Sequence, residues 1–168
     1  MAKIGKRGFS LIELLIGMAI FALIFAAVCT VLPAGIAAFQ ADSAQSRNMQ
    51  QAGTIMNIIA DKARYAKTIS SPALDGTASA ALTFTSAGGS YNIYLGSGSD
   101  ANTLLFVENG TTTRYGIGAV RNISFKYYKN AANNTTRQLD ITITLSDRST
   151  TLNPDYSLTT TIVLANSP

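Results

Sequence analysis

Hydrophobic and polar positions follow three successive patterns along the chain. The first is a continuous apolar run. From Leu14 to Ala41 there are 28 consecutive residues without a charge, most of them Leu, Ile, Ala, Phe, Val or Met. A helix needs about 20 apolar residues to cross a hydrocarbon core of about 30 Å, so this run is long enough to span with some tilt. Pro33 and Gly35 interrupt its later part. Proline has no N–H and crowds the preceding turn, so a kink or local melting is predicted there.

The second pattern is amphipathic. Between Ala41 and Ile69, Met49, Ala52, Ile55, Ile59, Ala63 and Ala66 recur at steps of three or four, the helical period. Gln45, Arg47, Gln50, Gln51, Asp61, Lys62 and Arg64 fill much of the remainder. The helix is predicted to continue through residue 71 and to stop at Pro72. About 60 residues at ~1.5 Å each would make a rod of roughly 90 Å.

The third pattern has a period of two. Leu139, Ile141, Ile143 and Leu145 alternate with Asp140, Thr142, Thr144 and Ser146, and Ile123, Phe125 and Tyr127 alternate likewise. Such strands bury one sheet face and wet the other. Tyr91–Leu95 and Ser157–Leu164 are further predicted strands. Asn109-Gly110, between Leu104–Glu108 and Thr112–Ile117, is a hairpin signal, because both residues accept positive φ. Gly88-Gly89, Gly96–Asp100, Ala131–Asn134 and Asn153-Pro154-Asp155 read as turns. The expectation is an α+β chain: one long N-terminal helix, then an antiparallel sheet of about five to seven strands. The amphipathic half of the helix, near Met49–Ile69, covers the sheet's apolar face.

Charge is scarce and unevenly placed. Charged residues are 13% of the chain, against about 25% in ordinary soluble proteins. The formal charge is +4, and Lys3, Lys6 and Arg7 supply three of those charges. The rest is nearly neutral, so the basic balance does not imply a nucleic-acid partner. The basic cluster before the apolar run places the N-terminus in the cytoplasm and the remainder outside. There is no histidine and one cysteine. An internal disulfide, histidine acid–base chemistry and histidine-ligated metals are therefore excluded. No P-loop, catalytic triad or close carboxylate pair is visible, and neither an enzyme nor a cofactor is expected.

Glu13 stands apart. It follows Phe9-Ser10-Leu11-Ile12 and precedes the apolar run. An acid at the centre of a spanning helix costs roughly 2.5–3.5 kcal/mol, and less near the interface. It is either solvated at the headgroup level or a functional group with a partner to be named.

The segment Gly8-Phe9-Ser10-Leu11-Ile12-Glu13-Leu14-Leu15-Ile16, after its short basic leader, resembles the class III signal of type IV prepilins and pseudopilins. The resemblance covers about the first 30 residues; the β-rich remainder matches in layout only. It implies cleavage between Gly8 and Phe9 by a prepilin peptidase, and methylation of the new Phe9 amine by the same enzyme. It further implies that Glu13 pairs with the Phe9 amine of a neighbouring subunit as helices pack into a filament. The other implied partners are pilin-like subunits, an inner-membrane assembly platform with its ATPase, and membrane lipid before assembly. The implied organisation is a leader (1–8), a membrane or filament-core helix (9–40), an amphipathic helix (41–71) and a β-rich head (72–168). The implied location is single-pass in the cytoplasmic membrane, then a periplasmic or surface filament.

Departures from the family pattern narrow the subclass. Pro33 stands at the 25th mature position, later than the usual helix-breaking proline. A C-terminal disulfide loop, found in many major pilins, is impossible here. The alternating ending Tyr156–Leu164 looks more like minor pilins and pseudopilins, and a minor subunit is preferred to a major one. Rival readings are an ordinary signal cut near Gly35-Ile36-Ala37-Ala38, a lipoprotein acylated at Cys29, and a membrane-anchored binding module. Ser97, Ser99, Asp100 and Asn102 offer oxygens for calcium, but with too few carboxylates for a metal site to be assigned. Asn109, Asn122, Asn133 and Asn134 begin glycosylation sequons. Tyr91, Tyr94, Tyr127 and Tyr128 with Arg121, Lys126 and Lys129 form either an adhesive or DNA-touching face or ordinary core packing.

Overall fold

The computed structural model describes residues 10–130, 136–146 and 155–165. Helix α1 runs from Leu11 to Arg64. Nine strands follow among the described residues: β1 (Thr68–Ser71), β2 (Ala78–Ser79), β3 (Ala81–Ser86), β4 (Gly89–Leu95), β5 (Leu104–Glu108), β6 (Thr111–Tyr115), β7 (Val120–Lys129), β8 (Arg137–Leu145) and β9 (Tyr156–Val163). The fold class is α+β. The chain separates into two compact units, Met1–Gln40 and Ala41–Pro168.

In the second unit the helix carries a buried stripe of Ala44, Asn48, Ala52, Ile55, Met56, Ile59 and Ala63. The spacing is helical, so these side chains share one face. They enter a core built with Leu82, Phe84, Tyr91, Ile93, Leu104 and Phe106 from one sheet. Val120, Ile123, Phe125, Leu139, Ile141, Ile143 and Leu145 come from the other. Burying each large aliphatic side chain is worth about 1.5–3 kcal/mol. Met49, predicted to face the core, is 51% exposed, and Met56 is buried instead. The core stripe therefore runs through residues 52, 56, 59 and 63 rather than through residue 49.

The helix stops at Arg64, not at residue 71. The Lys67 N–H already donates to Thr85 O, and Thr68–Ser71 pairs antiparallel with β3. The β-branched Thr68 and Ile69 favour strand over helix, and β3 supplies a ladder for them. The Ala165 N–H satisfies the Arg64 carbonyl at 2.9 Å, one of the orphan acceptors of the helix end. The amphipathic helix expected over 41–71 is thus shorter, and the head's first strand begins before Pro72.

The single sheet expected is two. One has the order β1-β3-β4-β5-β6 and the other β2-β7-β8-β9, with every pairing antiparallel. Alternation along β8 buries Leu139, Ile141, Ile143 and Leu145, as the period of two requires. The Asn109-Gly110 turn has φ of 50° and 85°, the positive pair that a two-residue hairpin demands. Asn109 also joins two hairpin tips: its Oδ1 accepts from the Ser90 N–H at 2.9 Å, and its Nδ2 donates to Gly88 O at 3.0 Å. A side chain at Gly89 would collide with that amide, so this tie needs glycine there. The turn at Ala131–Asn134 and most of that at Asn153-Pro154-Asp155 lie outside the described residues, as do the Asn133 and Asn134 sequons.

Candidate functional site

The first unit is the apolar half of α1. The Ser10 carbonyl accepts the N–H of Glu13 at 3.0 Å and that of Leu14 at 3.2 Å, which starts the helix. Glu13 therefore lies in the first turn, where unpaired N–H groups favour an acid. Gly8 and Phe9 lie outside the described residues.

From Leu11 to Phe39 the large side chains have no cover among the described residues. Leu11 is 78% exposed, Phe21 69%, Leu23 73% and Phe39 75%. The most apolar 18-residue window has a mean hydropathy of 2.7, and none of it is buried. A contiguous apolar surface of this kind marks a membrane or a protein partner. Phe21 stacks on Phe25 at 6.1 Å, and Ile24, Ala27, Val28, Val31 and Leu32 line a wholly apolar groove. Cys29 is exposed on this surface as one more small side chain.

Pro33 and Gly35 lie inside α1, with helical residues on both sides of them. Pro33 removes one backbone bond from a helix whose other turns remain closed.

The remaining candidates sit in the second unit. Asp100 gives both carboxylate oxygens to Arg114, at 2.9 Å to Nε and 3.2 Å to Nη2. That guanidinium holds the Asp100 carboxyl below its usual range. The loop expected as a calcium candidate is thus closed by a cation of the chain itself. Among the described residues no cluster of His, Cys, Asp and Glu has metal-binding geometry.

The tyrosines do not form one outer face. Tyr91 is buried and stacks on Phe84 at 4.8 Å. Tyr127 is buried, and its hydroxyl accepts from Arg137 at 3.1 Å. A cleft of about 390 Å³ beside the helix is lined by Arg47, Gln50, Gln51, Thr54, Ile55, Tyr115 and Gly116, a set without carboxylate, cysteine or histidine.

One polar cluster escapes a reading of the sequence. Glu108 Oε1 accepts from Lys62 Nζ at 3.2 Å and from the Tyr91 hydroxyl at 2.9 Å. Lys62 also lies 5.5 Å above the Tyr91 ring. These bonds tie the last turns of α1 to β4 and β5. The Tyr91 hydroxyl first, and Lys62 second, draw the Glu108 carboxyl below its usual range. The same contact with Glu108, helped by burial, raises the Tyr91 phenol. Residues 62, 91 and 108 are far apart in sequence, so only the fold brings them together. Asn48 was missed too: it lies on the apolar stripe at four-residue steps from Ala44 and Ala52, and its Nδ2 has no partner among the described residues.

No characterised protein and no solved structure matches the chain. Its head therefore stands on its own geometry. At the other end, residues 4–28 match the prokaryotic N-terminal methylation motif, so the chain carries the class III signal of type IV pilins and pseudopilins, which implies processing by a prepilin peptidase and assembly with other pilin-type subunits.

Proposed function

We propose that this chain is a minor pilin or pseudopilin, a structural subunit of a type IV pilus-like or secretion-type filament. The observation that carries the reading is the methylation motif joined to an apolar helix with no cover of its own. Before assembly, lipid covers that helix, with the basic leader on the cytoplasmic side. The peptidase cuts between Gly8 and Phe9 and methylates the Phe9 amine. The cut removes Lys3, Lys6 and Arg7, leaving ten basic side chains against nine acidic. An assembly platform and its ATPase then lift the subunit out of lipid, and neighbouring helices take over the burial.

Glu13 gives that transfer its register. A carboxylate buried among apolar helices is costly unless paired, and the Phe9 amine of the next subunit is a suitable cation. Breaking a buried pair by removing one partner costs about 3–5 kcal/mol. Pro33 and Gly35 mark where the helix can give way during packing, since the bond that Pro33 lacks lowers the local cost of melting.

The test is Glu13→Ala with Glu13→Gln beside it. Both variants are expected to insert and to be cleaved, yet to be lost from sheared filaments. Normal incorporation of either would overturn the assigned role of Glu13. A filament fraction lacking the wild-type chain would overturn the subunit reading.

A further inference from the structure

The buried positions of α1 are not alike along its length. Toward the C-terminal end the stripe carries Ile55, Met56, Ile59 and Ala63, and all four enter the main core. Burial of the three large side chains holds that end of the helix down. Two polar ties reinforce it. Lys62 Nζ reaches Glu108 Oε1 at 3.2 Å, and the Arg64 carbonyl accepts the Ala165 N–H at 2.9 Å.

Residues 41–52 are seated differently. Their buried side chains are Ala44, Asn48 and Ala52. The two alanines bury one methyl group each, and each methyl favours the seated form about fourfold. Asn48 is 3% exposed, and its Nδ2 has no partner among the described residues. A buried donor left without a partner favours any conformation that returns it to water, by about five- to 150-fold. The stranded amide therefore offsets the two methyls. The flank of this segment is open as well, since Gln50, Gln51 and Thr54 border the cleft of about 390 Å³. Gly53 comes next, and glycine stiffens a helix less than any residue but proline.

We propose that residues 41–52 form a strap that lifts off the head while residues 55–64 stay docked, with Gly53 as the bend. In the open form Asn48 is hydrated, and the uncovered helix grows by about 12 residues, or about 18 Å. The strap stays helical, because its backbone bonds are internal to it. Such a local opening has its own free energy, smaller than that of unfolding the head. The head thereby has a joint beside its core that yields while the core stays closed.

The test labels buried thiols in the full chain, held in detergent micelles with Cys29→Ala as background. Ala44→Cys and Ala63→Cys are a matched pair, because both alanines are fully buried on the same stripe. Each rate of reaction with a maleimide is taken relative to the same thiol in the unfolded chain. Ala44→Cys is expected to react at least tenfold faster than Ala63→Cys. Low denaturant is expected to leave the Ala44→Cys rate nearly unchanged, because the opening exposes little surface, and to speed that of Ala63→Cys.

Adding Asn48→Leu keeps the branching of the side chain and removes the stranded donor. It is expected to slow labelling of Ala44→Cys at least fivefold. Asn48→Ala removes the amide without adding bulk and serves where leucine does not fit, so slowing by either variant supports the strap. Equal labelling of the two cysteines, or a denaturant dependence shared by both, would overturn the proposal. So would labelling of Ala44→Cys that neither Asn48 variant slows.

Discussion

The two halves of α1 answer the same physical demand differently. Residues 41–64 bury one face against the strands of their own chain and leave the other face polar. Residues 14–39 carry no charge on any side, and none of them is buried. One continuous helix thus serves as a core element over its second half, while over its first half it is a surface awaiting a covering phase. The amphipathic half belongs to the stability of the head, and the apolar half to location and assembly.

The contrast breaks most sharply under truncation. Phe125→Ala removes a fully buried ring and should cost the head about 3–5 kcal/mol in denaturant unfolding. Phe25→Ala, the same change on the exposed half, should leave that transition in place. Equal losses from the two would erase the distinction.

A charge sharpens the contrast from the other side. Leu23→Arg is expected to oppose membrane integration by about 2.5–3.5 kcal/mol, read as the fraction recovered from membranes, with head unfolding unchanged. A smaller effect is expected at the tie between hairpin tips. Asn109→Ala loses the bonds to Ser90 and Gly88 and should cost about 1–2 kcal/mol.

The smallest effect is in acid. The Glu108 carboxyl titrates lower folded than unfolded, because Tyr91 and Lys62 bind its charged form. Its contribution is present above the ordinary glutamate value of about 4.3, and is lost as pH falls through the lower folded value. Melting temperature should drop in that window, and Glu108→Gln should flatten the drop. Asp100, held by Arg114, acts in the same direction.

What the residues disclose depends on how local the signal is. The alternation of β8, the Asn109-Gly110 turn and the apolar run each state their structure within ten to thirty residues, and all three can be read directly. The end of the helix cannot. Thr68–Ser71 becomes a strand only because β3 lies beside it, and β3 itself, Ala-Leu-Thr-Phe-Thr-Ser, hides among small polar residues. The division into two sheets and the Lys62–Tyr91–Glu108 cluster likewise depend on distant pairings. At the candidate site, Glu13 could be singled out because an acid next to an apolar run conflicts with its surroundings. Pro33 can be singled out likewise, because a proline in an apolar helical run lacks the N–H that its turn would use.

The most direct measurement is the intact mass of the chain extracted from its native membrane. The expected chain begins at Phe9 and is one methyl group heavier than its sequence. A mass that retains residues 1–8, or that begins near residue 39, would contradict it.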